Sequence, residues 1–306
     1  MPLSSAPSSS EATLTQRRPT PVSAILMVVA AMACFSTSDA LAKFLTGMLP
    51  VAVIVWVRYL AFLIMLVPLL RRGRGVLRTR HAWLHGVRAL ALASSATFFI
   101  LALRVLPMAE ATALVFASPL FVTLLSAWLL DERVDAVRWL IVVAGFAGVI
   151  VVMRPGSAVF RFEALLPVCS SVAWAVSVIC TRKLTVHDGV DTTLVYSGLL
   201  GFALVSLVAL PQLTLPPVEG MIAAVSMAVI WSGAQWLSVH AYHRGNVSVL
   251  APFSYSQLLW STLIGITVFG HLPDGASLVG IGTILACGVV AMWWSTRDEL
   301  DPERPG

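Results

Sequence analysis

Ten long, nearly uncharged apolar runs partition this chain, and no other feature limits its fold as severely. They cover approximately residues 22–42, 50–70, 82–103, 108–130, 136–153, 162–181, 191–211, 218–239, 248–269 and 276–294. About 20 apolar residues in a helix cross the roughly 30 Å hydrocarbon core of a bilayer, so each run predicts a membrane-spanning helix. Continuous apolarity is unlike the alternation of a lipid-facing barrel strand, and a helix satisfies its own backbone in lipid. The fold class is therefore an all-α polytopic membrane protein with ten transmembrane helices. With 58% hydrophobic and only 11% charged residues, a water-soluble globule is ruled out.

Residues 1–21 are rich in Ser and Pro and read as a disordered cytosolic tail, with 295–306 as a short tail at the other end. The first apolar run is too long for a signal-peptide core. If the chain enters the membrane from the cytosol, 14 Lys and Arg residues fall on that side, among them Arg17, Arg18, Arg71, Arg80, Arg182 and Lys183. Four fall on the other: Lys43, Arg104, Arg154 and Arg161. This asymmetry predicts a multi-pass protein of the cell inner membrane with both termini cytosolic. The net charge of +5 thus serves orientation, and the expected partners are a small-molecule solute and membrane lipid, with no nucleic acid. Cys34, Cys169, Cys180 and Cys287 all lie in apolar runs without C-x-x-C spacing, so no metal, disulfide framework or cofactor is expected.

Sliding the sequence against itself by 140 positions aligns Lys43 with Lys183, Trp56 with Tyr196 and Phe62 with Phe202. An offset of 139 or 140 aligns Asp135 with Asp274 and Gly148 with Gly288. The chain reads as two five-helix repeats, 22–153 and 162–294. Because five is odd, the second enters from the opposite side, the inverted arrangement on which many secondary transporters build a midplane site.

The run Phe35-Ser36-Thr37-Ser38-Asp39-Ala40-Leu41-Ala42-Lys43, the tripeptide Trp56-Val57-Arg58, and Ala109-Glu110-Ala111-Thr112-Ala113 through Ser118-Pro119-Leu120 to Asp131-Glu132-Arg133 resemble the EamA-type branch of the drug/metabolite transporter superfamily. The likeness extends over about 22–294. It implies a ten-helix carrier of small organic solutes, a class ranging over amino acids, their derivatives, vitamins and nucleotide-like compounds. His271 stands where the pattern has a second-half glutamate after Phe269-Gly270, a departure from a symmetric role for Glu132.

Ionisable residues inside a span are costly and mark function by default. Asp39 lies four residues before Lys43, so an ion pair within one helix is available. Arg58 lies about 12 Å into the second span, a depth Asp39 can share, so the two are expected to pair across helices. Such a pair either meets a zwitterionic solute and gates the halves, or is a permanent helix-helix lock. Arg88, about 10 Å into the third span, has no acid on its own helix. It either attracts a carboxylate or phosphate or snorkels to headgroups. Glu110 is read as a proton site or an interfacial partner. The expected cavity wall combines Ser94, Trp174, Trp231, Gln235, Tyr255 and Gln257, rings interleaved with amides and hydroxyls that suit a solute with apolar and polar parts. The alternative for each is ordinary helix packing.

Pro119 and Pro252 interrupt equivalent helices of the two halves and point to the binding region or a hinge. Gly145, Gly148, Gly280, Gly282 and Gly288 permit close helix approach, within the chain or in a homodimer. An enzyme is disfavoured: His81 with His85 and His240 with His243 lack the H-E-x-x-H pattern and read as interfacial histidines, and no G-x-S-x-G elbow occurs. No ring of like charges or filter sequence suggests a channel. Without a P-loop, energy comes from a gradient. The resemblance favours export of an amino-acid-like metabolite, with uptake of a vitamin or nucleoside-like compound as the other reading.

Overall fold

The computed structural model describes residues 22–71, 79–129, 135–154, 162–185, 187–244 and 247–300. Those residues form α1 (Val22–Leu45), α2 (Val51–Leu70), α3 (Ala82–Val105), α4 (Met108–Val115), α5 (Ser118–Leu129) and α6 (Ala136–Met153). They continue with α7 (Leu165–Thr185), α8 (Val190–Ala209), α9 (Val218–Arg244), α10 (Val247–Leu250), α11 (Ser256–Thr267) and α12 (Gly275–Leu300). Eight spans are long and apolar enough to cross a membrane, counting α4 and α5 together. The ninth is divided into α10, a 3-10 segment (Ala251–Tyr255) and α11, and α12 carries a shorter apolar stretch, Gly275–Ala291. The chain is thus an all-α multi-pass membrane protein. The 1–21 tail and Asp131, Glu132 and Arg133 lie outside the described residues.

Several helices run past their expected ends: α1 continues to Leu45, α3 to Val105, α7 to Thr185, α9 to Arg244 and α12 to Leu300. Hydropathy marks where lipid stops, whereas a helix stops where its hydrogen bonds do, and polar residues extend it into the interface. Leu26, Ile64, Leu140, Val143, Leu207, Val229 and Leu263 stay exposed, an apolar exterior that only lipid can cover.

Helices from the first five spans pack chiefly on helices from the last five. α1 lies along α9 and α11, and α7 lies along α3 and α5; α2 packs on α8, and α6 on α12. The last pair is fastened at both ends. Asp135 caps α6 by accepting the Arg138 amide at 2.9 Å, and its other oxygen accepts Trp294 Nε1 of α12 at 2.8 Å. Asp274 caps α12 by accepting the Ser277 amide at 2.9 Å and is bridged by Arg154, which closes α6 in a left-handed conformation (φ 48°). Hydrogen bonding from Arg154, then from Ser277, holds the Asp274 carboxyl well below the usual range. The two helices therefore run antiparallel, each N-terminal carboxylate meeting the far end of the other.

Between those ends Gly148 and Gly280 bring the backbones together. A Cβ at Gly280 would lie 2.6 Å from Val152 Cγ2 and 2.9 Å from the Gly148 carbonyl oxygen. Pro119 and Pro252 are not kinks inside continuous helices. Each sits in the first turn of a new segment, after α4 ends at Val115 and after α10 ends at Leu250. A proline has no N–H for the carbonyl four residues back, so the ladder breaks just before it. The two breaks touch: Phe116 and Tyr255 rings lie 5.0 Å apart.

Gly280→Val should force α12 off α6 and cost about 1–3 kcal/mol as an overpacked contact. Gly282→Ala, where an added Cβ meets nothing within 4 Å, should leave stability unchanged. Thermal unfolding of the detergent-solubilised protein distinguishes the two, and equal melting temperatures would refute a Gly148–Gly280 contact.

Candidate functional site

The polar run of α1 faces inward because its neighbours Ala31, Ala42 and Leu45 are all fully buried. Asp39 is 4% exposed and Arg58 of α2 is 7% exposed, and Arg58 Nη2 donates to Asp39 Oδ1 at 2.9 Å. The same nitrogen donates to the Ser38 carbonyl at 3.1 Å and its hydroxyl at 3.2 Å. The second Asp39 oxygen accepts Gln257 Nε2 of α11 at 3.2 Å, while Ser36 donates to the Gln257 carbonyl at 3.2 Å. Ser38 in turn donates to the Met227 carbonyl of α9 at 3.1 Å. One carboxylate thus gathers groups from α1, α2 and α11, with α9 joined through its neighbour. Arg58 Nε is buried with no partner among the described residues, so the guanidinium is incompletely satisfied.

The expected pairing of Asp39 with Arg58 is present in the geometry, and the pairing with Lys43 is not. Lys43 Nζ instead donates to the Leu103 and Leu106 carbonyls at 2.5 and 2.7 Å, with the Phe269 ring 5.6 Å away. Those carbonyls end α3, where a helix dipole favours a cation. Spacing of four residues made the ion pair available, but Asp39 faces Arg58.

Arg88 pairs with no acid among the described residues. Its Nε donates to Thr181 of α7 at 2.7 Å, and Nη1 donates to the Ser197 hydroxyl of α8. It lines an open groove of about 290 Å³ together with Leu92, Trp174, Ser177, Val178 and Thr181. Trp174 remains 48% exposed. A cation held by hydroxyls keeps its charge uncompensated, so this groove favours an anionic or electron-rich group beside an aromatic face.

The remaining expected wall residues separate. Trp231 of α9 packs edge-on against Phe35 and Phe62, at 6.3 and 5.8 Å, joining α1 and α2 rather than α7. Ser94 and Gln235 are half-buried and make no hydrogen bond to another described residue. Tyr255 is 5% exposed, wedged against Phe116 and the Gly288 backbone within the α4–α6–α12 cluster, so it fills that core instead of lining the groove. Glu110 accepts the Ser277 hydroxyl at 2.9 Å beside Arg154, at the end of α6 that Asp274 also occupies. Arg104, six residues earlier, is exposed and not its partner.

Sequence reasoning assigns no role to Ser38, Thr181 and Ser197, which hold the two arginines, or to Ser36, which donates to the Gln257 carbonyl. In a membrane helix a hydroxyl serves packing, backbone bonding or a ligand equally well, so composition does not sort them. The interfacial place expected for His85 is not the one it takes: it is 1% exposed and meets Asp188 at 2.9 Å.

A profile of the EamA-like transporter family matches residues 22–154. The chain is 31% identical over 295 residues to a protein of Rhizobium johnstonii called "Riboflavin transporter", covering 92% of this chain and 93% of that one. It is 28% identical over 253 residues to the "S-adenosylmethionine uptake transporter" of Rickettsia felis, covering 82% and 85%. A solved crystal structure superimposes with a TM-score of 0.59 at 25% identity, covering 90% of this chain and 98% of its own. Matched by that profile and by transporters over most of its length, this chain belongs to the EamA-like transporter family and is a carrier of small metabolites, not an enzyme.

Proposed function

We propose that the protein is a secondary carrier of the cell inner membrane that takes up a vitamin-like or nucleoside-like metabolite. Export of an amino-acid-like compound, which the family resemblance favours, gives way because the uptake reading fits the names of the relatives better. A flat heteroaromatic solute with polar edges also suits a groove that sets Trp174 beside Arg88 and Ser177.

The observation that carries the reading is the buried Asp39–Arg58–Gln257 network, which ties α1 and α2 to α11. Under the proposed division into repeats 22–153 and 162–294, it bridges the two. Exchanging the sets of five spans leaves the packing pattern unchanged, since α1 on α9 becomes α7 on α3, and α1 on α11 becomes α7 on α5. That exchange supports an inverted repeat. In this reading Asp39, Arg58 and Gln257 open and close with the solute. Arg88 and Trp174 line its path at the groove between α3 and α7, and Ser94, Trp231 and Gln235 are assigned to it only by their residue types. Pro119 and Pro252 mark the hinge, and Glu110 steadies the opposite mouth. No nucleotide-binding loop accompanies these groups, so the gradient of the solute, a proton or another ion drives the cycle. Both termini are assigned to the cytosol by the basic-residue asymmetry.

Reconstituted vesicles loaded in turn with a labelled flavin, nucleoside-type compounds and amino acids should give saturable flux for the first two classes only. Flux confined to the amino acids would overturn the vitamin-like or nucleoside-like assignment. Asp39→Asn and Arg58→Gln should each stop flux and also destabilise the protein by about 3–5 kcal/mol, because one buried charge is left alone. The double variant removes both charges and should recover stability without recovering transport. Normal flux in the double variant would make the pair architectural.

A further inference from the structure

Two arginines lie within spans among packed helices, and only one of them meets an acid. Arg58 sits where α1, α2 and α9 come together and is answered by Asp39. Exchanging the two sets of five spans turns that trio into α7, α8 and α3. There Arg88 stands among the Thr181 hydroxyl, the Ser197 hydroxyl and the Thr193 carbonyl, with no carboxylate of a described residue in ion-pair contact. Both hydroxyls are already committed as donors, Thr181 to the Ser177 carbonyl at 2.7 Å and Ser197 to the Thr193 carbonyl. Toward Arg88 they can only accept, which fixes Nε and Nη1 but brings no net negative charge. Nη2, with two protons, donates to no described residue. Arg88 lies about 9 Å into α3 and Ser197 about 10 Å into α8, at about 1.5 Å per residue, so the guanidinium stays at its own depth instead of reaching for the end of the span.

We propose that Arg88 and Trp174 bind the acid group and the ring of a flat solute bearing a carboxylate or phosphate, which supplies the counter-charge that Asp39 supplies to Arg58. The proposal rests on the transport reading and narrows its substrate class. A guanidinium inside a span without an acid is costly, and an oxyanion relieves it through a charge-assisted hydrogen bond about twice as strong as one to a neutral carbonyl. The anion loses water on entry, but a groove whose tryptophan is 48% exposed strips only part of its hydration. Trp174, Ser177, Val178 and Thr181 share one face of α7, so a ring laid on the indole brings its substituent toward Arg88. Arg182, exposed at the rim, lines the same groove and adds a second positive group. At about 290 Å³ the groove suits one small ring system with its acid group. A lipid headgroup phosphate shares this chemistry, but the depth at which the guanidinium is held favours a ligand that enters the groove.

Equilibrium binding of labelled probes to the full chain in phosphatidylcholine nanodiscs tests this without transport. Two pairs of probes share a ring and differ by one acid group: nicotinate with nicotinamide, and flavin mononucleotide with riboflavin. The charged member of at least one pair should bind about tenfold more tightly than its neutral partner. Arg88→Gln should abolish that difference, whereas Trp174→Ala should weaken both members and leave their ratio unchanged. Thr181→Asp gives Arg88 an acid of its own, so it should erase the preference without lowering the melting temperature, and it serves if Arg88→Gln does not fold. Absence of an Arg88-dependent preference in both pairs overturns the proposal. In that event, phosphatidylglycerol retained from mixed-lipid nanodiscs by the parent and lost from Arg88→Gln would assign the arginine to a headgroup instead. No probe has to cross the membrane, so equal affinities leave uptake of an uncharged metabolite standing, while failure of the flux assay leaves the binding result interpretable.

Discussion

In hydrocarbon a charge without a partner is the most expensive thing a helix can carry, and the Asp39–Arg58 pair is where this protein meets that constraint. A carboxylate buried inside a span must be answered from another helix, because the residues above and below it on α1 are apolar or already engaged. Arg58 answers from α2 and Gln257 from α11, while Ser38 reaches the backbone of α9. Four helices are thereby fixed around one oxygen pair. The pair is dry enough to be strong and yet incomplete, since Arg58 Nε stays unpartnered. A buried network with one unmet donor is well suited to exchanging partners, and a carrier needs such a point between its two sides.

The periphery is built on the opposite principle. α6 and α12 are locked at both ends by an N-terminal aspartate that bonds to the far end of the other helix, and glycines close the space between them. Nothing in that contact invites rearrangement. Next to it the interrupted spans meet through Phe116 and Tyr255, where proline has already broken the backbone ladder. A close antiparallel pair thus stands beside two breaks in the helical ladder, while Arg88, His85 and Asp188 tie together the α3–α7–α8 corner.

Much of this was legible beforehand. The ten spans follow from hydropathy because lipid imposes one requirement on every residue of a span. The Asp39–Arg58 pair was legible because two buried charges at equal depth have few other options. Lys43 was misplaced for an instructive reason: four-residue spacing puts it on the same side as Asp39 but does not say that the end of α3 will offer it two carbonyls. Tyr255 looks like a cavity residue by type, and only the glycine at position 288 of another helix turns it into packing. His85 and Asp188 are 103 residues apart, and no local pattern links them.

The sequence by itself determined that this chain lives in a bilayer, that its elements are helices and that Arg58, Arg88 and Asp39 require partners. These conclusions come from transfer free energy, which each residue expresses without regard to its neighbours. The tertiary structure alone decided which partners those are, that Arg88 rests on hydroxyls beside an open tryptophan, and that a histidine near a span's end is sealed against an aspartate. Those outcomes depend on how helix faces are rotated and paired, and helices apolar on nearly every side leave rotation to contacts made only once the bundle has assembled.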